Sequence, residues 1–334
     1  MRVEADLVID FWEVGQADCT VIRLPDDRLF IIDVGRMGSP LIDWLADRSP
    51  RPQIAAIVLT HNDSDHAGAL PAVLDLLGRN VEAVWMLRDR PAACEPFAKI
   101  FRRVTIEESK GLIVRRLEDP AVLWENPALG LRIHVGYPTF TANESARRAN
   151  DTSGLILLEH NGDLLCAWPG DLPVHVVADR ISPRRPHLLH GPHHGGPTDF
   201  KGANRDRFRS GVEALSPQLG FISVGSRNTY SHPRPGYLRL LAHHGCRVVC
   251  SQITNACDRD HFRFDIPVFE GSGALGLRAP RTGTPCRGAW RVRIRAGELE
   301  IDEFSQIHLR RVAELKRPLC LKGRGWTDGD PLPW

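Results

Sequence analysis

Leu7 to Trp12, Cys19 to Leu24 and Leu29 to Ile32 are short apolar or alternating runs, and Pro25-Asp26-Asp27 between the last two is turn chemistry. The pattern predicts an opening meander of three strands. Ile54 to Leu59 is a continuous apolar run with β-branched residues, which suits a buried central strand. Asp65 to Leu77 carries apolar residues at helical spacing, and Val81 to Leu87 returns to strand. Pro91 to Asn150 is weakly patterned and rich in Arg and Glu; it reads as helix, strand and loop on one flank. Strands resume at Gly154 to Glu159 and Asp163 to Ala167, around the hairpin turn His160-Asn161-Gly162. A further buried strand spans Gln218 to Val224, a helix Pro233 to His244, and a strand Arg247 to Gln252. Trp290 to Arg295 and Leu299 to Phe304 alternate around Ala296-Gly297 as a second hairpin. Strands and helices interleave twice, so the expected fold is a layered α/β (α+β) architecture in two halves. Asn255 to Gly288 is rich in Gly and Pro and reads as irregular.

Composition narrows the picture little. The 334 residues carry a net charge of +2, too small to argue for nucleic acid by itself. No stretch approaches the roughly 20 apolar residues of a membrane helix. Met1 to Asp6 leads straight into a strand pattern without signal-peptide shape, so a cytoplasmic protein without membrane attachment is expected. Arg180, Arg184 and Arg185, then Lys201, Arg205, Arg207 and Arg209, flank one histidine-rich segment. They read as a solvated surface or as an electrostatic rim for a phosphate-bearing substrate.

The chemistry concentrates in His61-Asn62-Asp63-Ser64-Asp65-His66, immediately after the predicted central strand. Four candidate ligands in six residues can feed two neighbouring metals, His61 and Asp63 on one side and Asp65 and His66 on the other. The competing reading is a polar loop with Asp63 or Asp65 as helix cap. Gly170-Asp171 and Pro192-His193-His194-Gly195 also stand at predicted strand ends. Asp171 can supply a bridging carboxylate, and His194 or His193 a distal imidazole.

These segments resemble the metallo-β-lactamase-fold family, in particular its ComEC-like branch, which contains the nuclease-like domain of a competence DNA-uptake protein. The likeness runs in order through Phe11 to Asp18, Ile31 to Gly35, Thr60 to Leu70, Asn150 to Ser153, Gly170-Asp171, Pro192 to Gly195, and Ser223 to Pro233. It spans about residues 5 to 255. It implies a four-layer αββα sandwich. It also implies Asp65, His66, Asp171 and His194 around one metal, and His61, Asp63 and the shared Asp171 around the other. His193 is then free to face substrate, and His232, Asn228 and Tyr230 stand where the family places late substrate-facing residues. A cap contact to the following helix is an equal reading for His232. Ala17 and Ala69 replace glycines common in the family, and Asp63 stands where zinc enzymes of the family carry a second His. No His between His66 and Asp171 sits in a ligand context. The first subsite is therefore oxygen-rich, which moves preference from strict zinc toward manganese.

The function implied is metal-dependent hydrolysis of a phosphodiester (DNA, RNA or a nucleotide). The nucleophile is a hydroxide held by two divalent ions, Zn2+ or Mn2+, and Asp65, His193 and His232 are the catalytic candidates. The chain is expected to work alone or with protein partners in a larger bacterial system such as anti-phage defence. Alternatives are an acyl hydrolase acting on thioesters or lactones, and an interaction subunit with a vestigial site. The expected organisation is a hydrolase domain over 1–255, an extension over 256–323 and a tail over 324–334. Cys250, Cys257, Cys286 and Cys320, with His261 nearby, read either as a structural zinc site that staples the irregular segment or as ordinary thiols.

Overall fold

The opening meander forms as β1 (Leu7–Phe11), β2 (Cys19–Arg23) and β3 (Leu29–Val34), paired antiparallel. This computed structural model describes residues 6–87, 95–145, 150–199, 204–260, 283–301, 312–316 and 318. After helix α1 (Pro40–Ala46), β4 (Ile54–Val58) joins β3 in parallel, and all but one of its residues are buried. The predicted helix over Asp65 to Leu77 is split into α2 (Ser64–Ala67) and α3 (Leu70–Leu77). Pro71 in the first turn of α3 has no N–H for the Ala67 carbonyl and its ring clashes there, so the helix cannot run through. β5 (Ala83–Met86), α4 (Glu95–Glu108) and β6 (Ile113–Arg116) complete this half.

The second half contributes β7 (Val122–Asn126), β8 (Leu131–Tyr137), α5 (Phe140–Ser145), β9 (Leu155–His160) and β10 (Asp163–Trp168). Asn161 and Gly162, both at positive φ, make the two-residue turn between β9 and β10 that the sequence predicts. α6 (Val174–Ile181), β11 (Leu188–His190), α7 (Arg205–Leu215), β12 (Leu219–Ile222), α8 (Pro235–His243) and β13 (Arg247–Cys250) follow, with β10 to β13 parallel. The last hairpin, β14 (Trp290–Arg295) and β15 (Glu298–Ile301), returns to the first sheet, where β14 pairs with β1. An isolated bridge between Gln252 and Pro285 also joins the segments on either side of residue 255.

The result is an eight-stranded sheet in the order β15-β14-β1-β2-β3-β4-β5-β6 and a seven-stranded sheet in the order β13-β12-β11-β10-β9-β8-β7. Three apolar clusters make four layers. One lies between the sheets, one under α1, α3 and α4, and one under α6, α7 and α8. Phe11, Phe221, Trp168 and Trp290 stack in the middle of the inter-sheet cluster. This is the αββα sandwich expected from the sequence. Its parallel strands β3, β4, β10, β11 and β12 end at one edge, where their following loops meet. Among the described residues, no helix is long and apolar enough to cross a membrane.

Candidate metal centre

His61 and His66 arrive on the loop after β4, Asp171 on the turn after β10, and His194 on the short helical turn after β11. Asp171 lies between the two halves of the His61–His66 loop. Its Oδ2 is 3.5 Å from His61 Nε2, and its Oδ1 is 3.3 Å from His66 Nε2. Asp63 Oδ2 sits 3.6 Å from His61 Nε2, and Asp65 Oδ2 sits 3.5 Å from His194 Nε2. Asp63 occupies the cap position of α2 but makes no side-chain cap bond, so the capping alternative for it does not hold. His61, His66 and Asp171 offer ligand atoms all within 4.8 Å of one another.

The residues fit divalent metal binding on a direct observation. His61 Nε2, His66 Nε2, His194 Nε2 and Asp171 Oδ1 are buried and make no hydrogen bond. Leaving a buried polar atom unsatisfied costs about 1–3 kcal/mol. Those of His61, His66 and Asp171 belong to residues whose ligand atoms lie within 4.8 Å of one another, where a cation relieves them together. The opposite ring nitrogens are all held. His66 Nδ1 is 2.8 Å from Asp33 Oδ2, His61 Nδ1 is 3.2 Å from Ser153 Oγ, and His194 Nδ1 is 3.0 Å from the Ser223 carbonyl. Holding Nδ1 fixes the ring and the tautomer that leaves Nε2 for a metal.

His193 is different. Its Nδ1 is buried without a hydrogen-bond partner, its side chain is 24% exposed, and its Nε2 is 3.5 Å from Asp171 Oδ2. It lacks the outer support that the other three imidazoles have and lies nearer the surface than they do. His193 and His194 are consecutive left-handed residues (φ 50° and 53°), and that turn sends adjacent rings to different places. A left-handed conformation costs a non-glycine residue about 1–2 kcal/mol, and the His193 N–H bond to the Gly170 carbonyl at 3.0 Å helps hold it. His232 packs edge-on against His193 with ring centroids 5.2 Å apart, and exposed Tyr230 lies next to His232 at 5.7 Å. Asn228 uses its side chain within the loop. It donates to the Gly225 and His232 carbonyls and accepts from the His232 N–H, which fixes His232.

Several contributors carry no assigned role in the sequence reading. Asp33, at φ 54°, accepts from Thr60 N and Thr60 Oγ1 as well as facing His66, each at 2.8 Å. Asp18 is buried with neither oxygen hydrogen-bonded, and His194 Nδ1 is 3.3 Å away, with His66 and His190 Nδ1 at 3.8 Å. Asp18, His66 and His194 form a second close group on the outer side of the rings. Ser153 Oγ accepts from the Asp171 N–H at 3.0 Å, and Asn150 Nδ2 donates to Asp171 Oδ2 at 3.4 Å. Gly170, at φ 53°, has Ser153 Oγ 2.2 Å and Thr60 Cβ 2.8 Å from where a Cβ would stand, so only glycine fits this turn.

Electrostatics follows the geometry. Burial opposes ionisation of Asp171, but His61, His66 and His193 override it and hold the carboxyl well below the usual range. Burial likewise opposes the charge on His194, yet Asp18 and Asp65 push its pKa up to about 10, and Asp33 and Asp171 raise that of His66. Burial lowers the pKa of His193, and burial with His193 and His194 nearby lowers that of His232 to about 4. Both rim imidazoles are therefore neutral near pH 7.

Three of the basic residues expected at the rim are engaged elsewhere, and Lys201 lies outside the described residues. Arg180 lies over the Tyr137 ring, Arg184 pairs with Glu159 and Arg207 with Asp179. Closeness to His193 in sequence does not carry over, because α6 and α7 run back along the outside of the second sheet. Cys250, Cys257 and Cys286 are buried in one apolar cluster. Among the described residues, none of them joins a group of three ligand atoms within 4.8 Å. Cys320 and His261 lie outside the described residues.

The sequence matches the metallo-beta-lactamase superfamily model over residues 12–146. It is 26% identical over 263 residues to ComE operon protein 3 of Bacillus subtilis (strain 168), across 72% of this chain and 31% of that protein. The chain thus spans under a third of that relative's length. Among solved structures it is similar to Igni18, a metallo hydrolase from the archaeon Ignicoccus hospitalis KIN4/I. The identity is 14% and the TM-score 0.45, over 72% of this chain and 95% of that one. It is also similar to the metallo-beta-lactamase fold protein YhfI from Bacillus subtilis, with 9% identity and a TM-score of 0.45, over 73% and 96% of the two chains.

Proposed function

Because the chain has the metallo-β-lactamase fold and the metallo-hydrolase sequence signature within it, we propose that it is a two-metal phosphodiesterase acting on a nucleic acid or a nucleotide. The observation that carries the reading is Asp171, whose two oxygens face the buried, unsatisfied Nε2 atoms of His61 and His66 from one carboxylate. His61, Asp63 and Asp171 would hold one ion; Asp65, His66, Asp171 and His194 the other. When bound, such a pair activates water and polarises a phosphoryl oxygen. The ligand set of three carboxylates and three imidazoles supports manganese as readily as zinc.

The chain's own residues do the rest. Asp33, Ser153 and the Ser223 carbonyl keep the ligand rings oriented. His193 and His232 line the rim as neutral imidazoles. A neutral imidazole is a weak acid, so their part is hydrogen-bond donation to charge that grows on the phosphoryl or leaving oxygen, rather than delivery of a proton from an imidazolium. Asn228 positions His232, and Tyr230 offers an exposed ring on which a base can stack. The test is a titration of manganese and zinc against linear DNA, RNA, small phosphodiesters and acyl esters. Metal-dependent cleavage of a phosphodiester supports the reading. Cleavage of thioesters or lactones alone replaces it with the acyl hydrolase, and a metal-binding protein without turnover replaces it with the interaction subunit.

A further inference from the structure

The carboxylates of Asp18, Asp33, Asp63, Asp65 and Asp171 all stand within the centre or directly behind its imidazoles. Two dications do not balance them. With neutral imidazoles the loaded centre stays about one unit negative, and a negative site in a partly desolvated cleft repels an anionic substrate. A phosphodiester, itself an anion, needs a cation at the rim. Of the arginines flanking the His pair in sequence, Arg184, on the loop after α6, pairs with Glu159, and Arg207 on α7 pairs with Asp179.

Arg36 supplies it. It lies on the turn after β3, between Gly35 and Gly38, both at positive φ. Its Nη2 is 3.3 Å from Asp65 Oδ2, the same oxygen that stands 3.5 Å from His194 Nε2. The guanidinium is therefore one carboxylate oxygen away from the centre, and its side chain is half-exposed. Its backbone is fixed against the metal loop. A Cβ on Gly68 would come within 3.3 Å of Arg36 Cα and 3.1 Å of Met37 N, so the two loops touch with no space for a side chain. A guanidinium carries five N–H donors in a planar fork. One of them on Asp65 leaves others to meet an oxygen of a bound phosphate.

We propose that Arg36 is the residue that selects an anionic, phosphate-bearing substrate at this centre. The inference rests on the phosphodiester reading and specifies what recognises the phosphate. It also gives a reason for a neutral ester to gain nothing from the rim.

The experiment compares manganese-loaded wild type with Arg36→Gln and Arg36→Lys. Calorimetric binding of inorganic phosphate needs no turnover, and it separates this inference from the reaction assigned above. Loss of one charge-assisted contact predicts roughly tenfold to hundredfold weaker phosphate binding in Arg36→Gln, with partial recovery in Arg36→Lys and metal content unchanged. Where a small phosphodiester such as bis(4-nitrophenyl) phosphate is turned over, its KM should rise in the same order, while any hydrolysis of neutral 4-nitrophenyl acetate should not change. Wild-type phosphate affinity in Arg36→Gln overturns the proposal. So does loss of metal from that variant, which would make Arg36 a support for Asp65. Failure of the loaded wild type to bind phosphate overturns it as well. Tight, Arg36-dependent phosphate binding without turnover of any phosphodiester leaves the recognition role standing and sinks the phosphodiesterase reading instead.

Discussion

Asp33→Asn tests how far the centre depends on residues behind its ligands. Asp33 accepts three contacts at 2.8 Å, from Thr60 N, Thr60 Oγ1 and His66 Nδ1. The Thr60 N–H must keep an acceptor, so the asparagine oxygen takes the Oδ1 place and its NH2 takes the Oδ2 place facing His66. His66 Nδ1 then becomes an acceptor, and the ring hydrogen moves to Nε2, where a metal would bind. To serve as a ligand the ring must give up that hydrogen bond at about 1–3 kcal/mol. This agrees with the roughly tenfold to hundredfold loss of metal affinity seen when outer partners of ligands are changed. A second effect has the opposite sign. Asp33 helps raise the pKa of His66, and its loss weakens proton competition for the ring. The tautomer effect should win, because it persists in the loaded state: with a metal on Nε2 the ring hydrogen must sit on Nδ1, where it meets the amide NH2 instead of an acceptor. Manganese titration by calorimetry, with thermal unfolding as a control for folding, reads the result. An affinity within about twofold of wild type, in a folded variant, refutes the argument.

Other expectations follow from the same geometry. Gly196→Ala places a Cβ 2.0 Å from His232 Nε2, so the ring must leave its position; turnover should fall by on the order of a hundredfold with metal content intact, and an unchanged rate would remove His232 from the reaction. His194, with its pKa at about 10, and His66 are raised above their ordinary value, so protons compete with metal for both rings. Metal affinity should therefore climb from about pH 6 toward about pH 10 with proton release, and a flat profile contradicts this. In the metal-free protein the sign reverses. These imidazolium–carboxylate pairs stabilise the fold fully below the ordinary pKa of 6.5 and are lost as pH rises toward about 10, so the melting temperature should drop across that window.

The His61–His66 loop was legible because its candidate ligands are dense and follow an apolar, β-branched run that suits a central strand. Asp171 and His194 were legible because they end further strands. Asp18 and Asp33 carry their importance in position instead. Asp18 just precedes one apolar run and Asp33 follows another, and a single Asp there reads as a turn residue until the fold sets it behind an imidazole. Arg36 was hidden for a related reason, since an arginine on a glycine-flanked turn resembles any exposed arginine. Arg180, Arg184 and Arg207 are engaged away from the centre, because sequence neighbours of His193 diverge when α6 and α7 turn away from the edge. Asn228 was expected to face substrate, yet its amide bonds lie within its own loop. The split between α2 and α3 could have been read from Pro71.

In the proposed centre Asp171 would be the carboxylate shared by two ions. The measurement is the number of manganese or zinc ions bound per chain, by mass spectrometry of the folded protein and by elemental analysis, in wild type and Asp171→Ala. About two ions per chain in wild type, with both lost or loosened together in Asp171→Ala, is the predicted result. One ion in wild type, or two retained in the folded variant, would contradict it.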